Sequence, residues 1–198
     1  MLYPIMEQYY TVQGEGYNMG VAAHFIRLGG CDVGCVWCDV KESWDAAKHS
    51  LTEIDTIINW LKESKAKFAV ITGGEPCMYN LNHLTEAIHA TGCNTWLETS
   101  GAYPISGTWD WICVSPKKFK PPLSASLKIA NELKVVVFHP SDIEWAAQHA
   151  LLVNSNCKLF LQPEFSKQDK VLPIIIDFVK TSPNWRISLQ THKFMNIP

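Results

Sequence analysis

The sequence has no run of basic residues: 17 Lys and Arg stand against 19 Asp and Glu, for a formal net charge of −2. Neutralising a phosphate backbone calls for clustered cations, so nucleic acid is excluded as the expected partner. A long apolar run is missing as well. The longest, Val171 to Val179, is interrupted by Pro173 and Asp177 and is far short of a membrane span. The opening Met1-Leu2-Tyr3-Pro4-Ile5 offers neither the basic start nor the apolar stretch of a secretory leader. Together these absences predict a cytoplasmic chain that meets no membrane. Internal repeats, low-complexity segments and a linker rich enough to divide the chain are also lacking, and 198 residues predict a single domain, 1–198. Charged residues reach only 18% against 47% apolar, which supplies a substantial core and leaves no tract that reads as disordered.

Cysteine is what the chain does have. Seven is an odd count, and without a leader it argues against a disulfide framework and for metal binding or plain burial. Cys93, Cys113 and Cys157 lie in or beside apolar runs and read as small buried hydrophobes. Cys77 follows a distinctive turn. Cys31, Cys35 and Cys38 fall within eight residues and form C-x3-C-x2-C.

Apolar periodicity places the elements. After a short polar opening, Ala22–Leu28 reads as a strand that runs into Gly29-Gly30 and the cysteine loop. Ser50 with Glu53 forms a capping box, and Leu51, Ile54, Ile57, Ile58 and Leu61 repeat at helical spacing. Phe68–Ile71 is a strand, and a helix carrying Leu81, Leu84 and Ile88 stops near Gly92. Further strands are expected at 95–98, 111–114, 133–138, 158–161 and 185–189. Helices are expected from Ser141, capped with Glu144, from near Lys167, and more weakly over 124–131. Strands alternating with helices imply right-handed crossovers and a parallel sheet. About seven strands are too few for a closed eight-fold barrel, so a partial parallel (βα) barrel of the α/β class is predicted.

Five apolar runs end in polar clusters: Thr72-Gly73-Gly74-Glu75, Glu98-Thr99-Ser100, Ser115-Pro116-Lys117, Gln162-Pro163-Glu164 and Gln190-Thr191-His192-Lys193. Any one of them is explained by a strand end meeting water. Five together predict a ligand-lined rim, because parallel α/β folds build their sites at the carboxyl ends of strands. His83, His89 and His149 lie on the expected helices, away from that rim.

Three thiolates from one loop can each hold one iron of a cubane cluster and leave one iron open, whereas four saturate it. A structural zinc site wants four protein ligands, usually as two separated pairs, and no second C-x2-C exists. A Cys3His site using His24 or His49 remains open on spacing alone.

The cysteine spacing, with Trp37 before the last cysteine, resembles the radical S-adenosylmethionine superfamily, as does Gly73-Gly74-Glu75-Pro76 directly after a strand. Gly74 would allow close backbone approach to a ligand, and Glu75 would offer acceptors to its ammonium. Gln13-Gly14-Glu15-Gly16, Phe25-Ile26-Arg27-Leu28, Glu98-Thr99-Ser100-Gly101, Ser115-Pro116-Lys117 and the ending from Gln190 to Pro198 are more particular. They resemble the 7-carboxy-7-deazaguanine synthases, from residue 2 to the end of the sequence.

The resemblance implies a lyase of queuosine biosynthesis that converts 6-carboxy-5,6,7,8-tetrahydropterin to 7-carboxy-7-deazaguanine with loss of ammonia. It implies a 4Fe-4S cluster on Cys31, Cys35 and Cys38, with the radical generated on S-adenosylmethionine, so that no side chain is itself the catalyst. S-adenosylmethionine is implied against Trp37, Cys38, Asp39, Gly74, Glu75, Ser115, Pro116 and Lys117. The pterin is implied against Val12, Gln13, Gly14, Glu15, Arg27, Thr72, His192 and Pro198. Arg27 suits a carboxylated substrate because its planar fork binds carboxylates bidentately. Magnesium is implied beside the pterin, but this chain has Val40 where the family commonly has a threonine ligand, with Asp39 adjacent. A flavodoxin or ferredoxin donor and a homodimer complete the expectation. The rival readings are a glycyl-radical-enzyme activase and a non-catalytic iron-sulfur electron-transfer protein. The latter would need a fourth ligand, for which Cys77 is the candidate.

Overall fold

The computed structural model describes residues 1–198 as one nine-stranded sheet with helices on its outer face. The strands are β1 (Leu2–Val12), β2 (Ala22–Leu28), β3 (Ser50–Glu53), β4 (Phe68–Gly73), β5 (Asn94–Thr99), β6 (Trp111–Val114), β7 (Glu132–Val137), β8 (Lys158–Pro163) and β9 (Trp185–Ile187). They lie in the order β3-β1-β2-β4-β5-β6-β7-β8-β9. From β2 to β9 every pairing is parallel. The ends of the sheet do not pair, so the barrel is partial, as expected.

The helices are α1 (Ile54–Ser64), α2 (Asn82–His89), α3 (Ser124–Ile129), α4 (Ser141–Ala150), α5 (Gln168–Thr181) and α6 (Thr191–Met195). Strand alternation decides which side chains meet them. Ile26, Leu28, Ala69, Ile71, Leu97, Val114, Leu133, Val135 and Leu161 point outward and are buried under the helices in two apolar clusters. The opposite face is apolar only toward the strand starts, where Ala23, Phe25, Val70 and Trp96 pack together. Toward the strand ends that inner face turns polar.

Four expectations are corrected. The opening is no polar coil but the 11-residue β1, antiparallel to both β2 and β3. A bulge between Ile5 and Glu7 hides it, because the extra residue breaks the period-two pattern. Ser50 and Glu53 make no capping box: they belong to β3, Leu51 is exposed, and α1 starts at Ile54 with no side-chain cap. Nor does the Ser141 side chain cap α4: the Ser141 amide donates to His139 Nδ1 at 3.2 Å, and Asp142 holds the segment before the helix by accepting from the backbone N–H groups of Phe138 and His139, each at 2.8 Å. The last strand ends at Ile187, and the polar cluster beyond it forms the short α6.

Candidate active site

All five polar strand ends open onto one cavity of about 580 Å³ on the inner face of the sheet. The cysteine loop and the Gln13–Glu15 segment complete its wall. Of the residues expected at the site, only Pro116 is outside, lining a smaller cleft next to Trp37.

Cys31, Cys35 and Cys38 all face the cavity. Their thiols are close enough for Cys35 and Cys31 each to feel the charge of Cys38, while burial pushes Cys31 upward and Cys35 up to about 11. The other four cysteines are buried away from the loop. Cys77 packs with Leu97 and Val114 in the outer core, and burial, followed by the Glu75 charge, pushes its thiol up to about 12. It is therefore not placed as a fourth ligand. His24 pairs with Gln8 at 3.0 Å and His49 meets the Glu42 carbonyl at 2.9 Å; neither lines the cavity.

Gly74 presses against the base of the loop. A Cβ at that position would stand 2.4 Å from the Gly30 carbonyl oxygen and 2.7 Å from Cys31 Cβ, so only glycine fits. The Gly74 amide donates to Leu28 and the Glu75 amide to Gly30, each at 2.9 Å. Glu75 departs from its expected role. Its Oε1 accepts from the Cys77 amide at 3.0 Å and Thr99 Oγ1 at 2.5 Å. Its Oε2 accepts from the Ser100 amide at 2.8 Å and from Ser100 Oγ. With four protein donors on a buried carboxylate, Glu75 ties the end of β4 to the end of β5, and its acceptor capacity is taken up by the protein itself.

Arg27 and Thr72 stand side by side across the β2–β4 register. The Arg27 Nε donates to Glu7 Oε1 at 2.6 Å and Nη2 to the Tyr9 hydroxyl at 3.0 Å. The β1 bulge makes this possible: without it Glu7 would face the same way as Ile5, into the outer core.

The floor is a charge cluster. Lys134, buried in the middle of β7, donates to Glu15 Oε2 at 2.8 Å and Glu98 Oε2 at 3.1 Å. Burial pushes Glu15 upward, but Lys134 and hydrogen bonds from Lys134, Gln190 and Gln162 outweigh it and pull Glu15 down to about 2. Lys134 loses to burial and gains from Cys113, Glu15, Glu98 and Glu132, ending well above the ordinary lysine range. Cys113 is itself pushed far up by burial and stays a neutral thiol, so the carboxylates hold the ammonium charged. Gln13 donates to Glu98 Oε1 at 3.3 Å.

Opposite the floor, Lys117 donates to the Ser115 carbonyl at 2.5 Å and to its hydroxyl at 2.6 Å, and lies 5.6 Å from the Trp37 ring. Asp39 accepts from Gln190 at 3.4 Å and Lys193 at 3.3 Å, tying the cysteine loop to α6. Val40 faces the cavity and presents no oxygen there. The His192 ring packs on Gly14, where a Cβ would lie 2.5 Å from Nδ1, and burial lowers its pKa. Val12 and Pro198 line the wall.

Sequence reasoning missed Lys134, Glu7 and Tyr9 as site residues, and it puts Gln190 on the rim without a partner. Lys134 carried a signal: a lysine between Leu133 and Val135 in a central strand has to meet partners inside.

The donor set fits a polynuclear iron-sulfur group. Three thiols share one wall, and Gly74 leaves room beside Cys31. No three His, Cys, Asp or Glu side chains converge tightly enough for a single metal ion.

Comparison with known proteins bears on this geometry. Residues 12–106 match the 4Fe-4S single cluster domain. The chain is 52% identical over 198 residues to 7-carboxy-7-deazaguanine synthase of Flavobacterium psychrophilum, covering 98% of this chain and 92% of that one. It is 42% identical to the Synechocystis enzyme of the same name, over 98% and 93% of the two chains. The crystal structure of QueE from Escherichia coli superposes with a TM-score of 0.85 at 34% identity, covering 95% of this chain and 93% of that one.

Proposed function

Because the chain belongs to the 7-carboxy-7-deazaguanine synthase family, we propose that its strand-end cavity carries out that family's reaction with the residues described above. The enzyme is a lyase of queuosine biosynthesis that takes 6-carboxy-5,6,7,8-tetrahydropterin to 7-carboxy-7-deazaguanine and ammonia. One observation carries the assignment of residues: the three cysteines, Gly73, Gly74 and Glu75 of the turn, and Arg27 all open onto one cavity.

Cys31, Cys35 and Cys38 would hold the 4Fe-4S cluster, which with S-adenosylmethionine supplies one-electron chemistry that starts a carbon radical. The chain's own residues bind, orient and shield. Gly74 and Glu75 fix the backbone against the loop, so ammonium recognition falls to backbone carbonyls of this turn rather than to the Glu75 side chain. Trp37 offers a ring face, and Ser115 with Lys117 offers donors to a carboxylate or ribose hydroxyls. Pro116 contributes by shaping that turn. Arg27 keeps both Nη1 hydrogens free for the substrate carboxylate. Glu15, Glu98 and Gln13 offer acceptors to the N–H groups of the pterin, and Val12, Gly14, Thr72, His192 and Pro198 shape its walls. The α6 segment, which lines the cavity and is tied to the cysteine loop where Asp39 accepts from Gln190 and Lys193, would serve to exclude water.

Magnesium beside Val40 is expected to be held through Asp39 and waters, since this ion binds through few protein ligands. The proposal extends to a flavodoxin or ferredoxin donor, a cytoplasmic setting and a homodimer. The unpaired edges of β3 and β9 support the last; a light-scattering mass of one chain counts against it.

The test is anaerobic: reconstitute, reduce, add S-adenosylmethionine and the carboxytetrahydropterin, and identify products by mass. The expected product is 7-carboxy-7-deazaguanine; 5′-deoxyadenosine without it would overturn the substrate assignment. Titrating magnesium in the same assay is expected to show a shallower dependence than in Val40→Thr. A steep requirement that Val40→Thr leaves unchanged would remove Val40 from the magnesium account.

A further inference from the structure

The tip of the cysteine loop has few ties to the rest of the chain. At its base the Cys31 amide donates to the Trp44 carbonyl at 3.1 Å, and within it the Cys38 amide donates to Cys35 at 3.1 Å. Between Asp32 and Trp37, every hydrogen bond to the rest of the protein passes through one carboxylate. Asp32 Oδ2 accepts from Lys120 Nζ at 2.7 Å and from the Tyr103 hydroxyl at 2.5 Å. Lys120 also donates to the Tyr103 oxygen at 2.6 Å and lies 4.1 Å from that ring. The far end of the tip is held by aromatic contacts alone. The Trp37 ring meets Phe119 edge-on at 6.5 Å and lies under Lys117. Lys117 and Lys120 are themselves bridged in an antiparallel turn.

One turn, residues 117–120, therefore grips the loop at both ends, Asp32 and Trp37. Tyr103, from the loop after β5, completes the grip from a different strand end. Three thiols can share one cluster only if the loop holds its shape, and these contacts hold the tip beside the burial of Val33 and Cys35.

We propose that the 117–120 turn and Tyr103 form a clasp that keeps the cysteine loop in its ligating shape, with Asp32, Lys120 and Tyr103 as positioning residues for cluster retention. The proposal rests on the reading of Cys31, Cys35 and Cys38 as cluster ligands. Because Asp32 is half-exposed, the ion pair adds little to global stability. Its effect is local, and this separates a clasp from a general structural role.

The experiment compares the wild-type chain with Tyr103→Phe, Lys120→Met and the conservative Lys120→Arg. Each is reconstituted anaerobically and challenged with a ferrous chelator, following cluster absorbance and released iron; metal-free samples are melted in parallel. Lys120→Met and Tyr103→Phe are expected to lose iron roughly two- to fivefold faster than wild type, the factor that one exposed ion-pair interaction converts to. Lys120→Arg is expected to keep the wild-type rate, and the metal-free melting temperatures are expected to coincide. Equal loss rates in all four would overturn the clasp, as would faster loss matched by a proportionate fall in metal-free melting temperature. A wild-type chain that takes up no cluster would instead strike the ligand reading, and the clasp with it.

Discussion

The guanidinium of Arg27 enters the cavity already half committed: Nε is engaged by Glu7 and one Nη2 hydrogen by Tyr9, while the Nη1 side stays open. Those two anchors set the plane in which a carboxylate is met, and a lysine there would lose both the plane and the second donor. Arg27→Lys is therefore expected to raise KM for the carboxylated pterin roughly 10- to 100-fold, the loss of about one charge-assisted hydrogen bond, and to change kcat far less. Steady-state kinetics check it, and an unchanged KM would remove Arg27 from carboxylate binding. Residue types were legible here where their chemistry is rare. A cysteine triplet, a Gly-Gly-Glu-Pro turn and an arginine at a strand end announce themselves. What the sequence hid was who satisfies whom: Glu75 reads as an acceptor for a ligand, and only the fold shows its oxygens taken by Thr99, Ser100 and Cys77.

At the scale of elements, the parallel strands were legible because each alternates buried outer residues with inner ones and stops at a polar cluster. β2, β4, β5, β6 and β8 start or end within a few residues of where the pattern puts them. The antiparallel edge was not legible. β1 carries a bulge, so Tyr3 and Ile5 face the helices while Glu7 and Tyr9 face the cavity, and no single period describes the strand. β3 failed for a different reason. Ser50 and Glu53 have the spacing of a capping box, but pairing with Leu2–Ile5 satisfies the same backbone groups and wins. The irregularity of β1 is also what delivers two site residues, since the bulge turns Glu7 and Tyr9 toward Arg27. Local rules thus failed at an element that serves the site.

Across the whole molecule, the inner face of the sheet concentrates charge that the outer face excludes. Four ionisable groups from three segments, Glu15, Glu98, Glu132 and Lys134, crowd below the cavity, with carboxylates outnumbering the one ammonium. Glu132 bears the cost. Burial, and then the Glu98 charge, outweigh the help of Lys134 and push it up to about 7. Its Oε2 accepts from Trp111 Nε1 at 3.1 Å and the Tyr17 amide at 3.2 Å, while buried Oε1 has no partner. The sign of the resulting pH dependence follows from proton counts. Between the ordinary carboxylate value of 4.5 and about 7, folded Glu132 keeps a proton that the unfolded chain releases, so stability falls as pH rises through that window. Glu15, held down to about 2, acts in the other direction and loses its contribution as pH falls from 4.5 toward 2. These two groups therefore favour the fold most near pH 4.5–5 and leave it weakened at pH 8. Glu132→Gln keeps the acceptor for Trp111 and Tyr17 but cannot ionise. It is expected to melt with wild type near pH 5 and several degrees above it at pH 8, as a change of a few kcal/mol would produce. Thermal unfolding of the metal-free chain at both pH values measures this. A constant offset between the two proteins would mean that folded and unfolded Glu132 bind the same number of protons across this range, which would overturn the raised pKa.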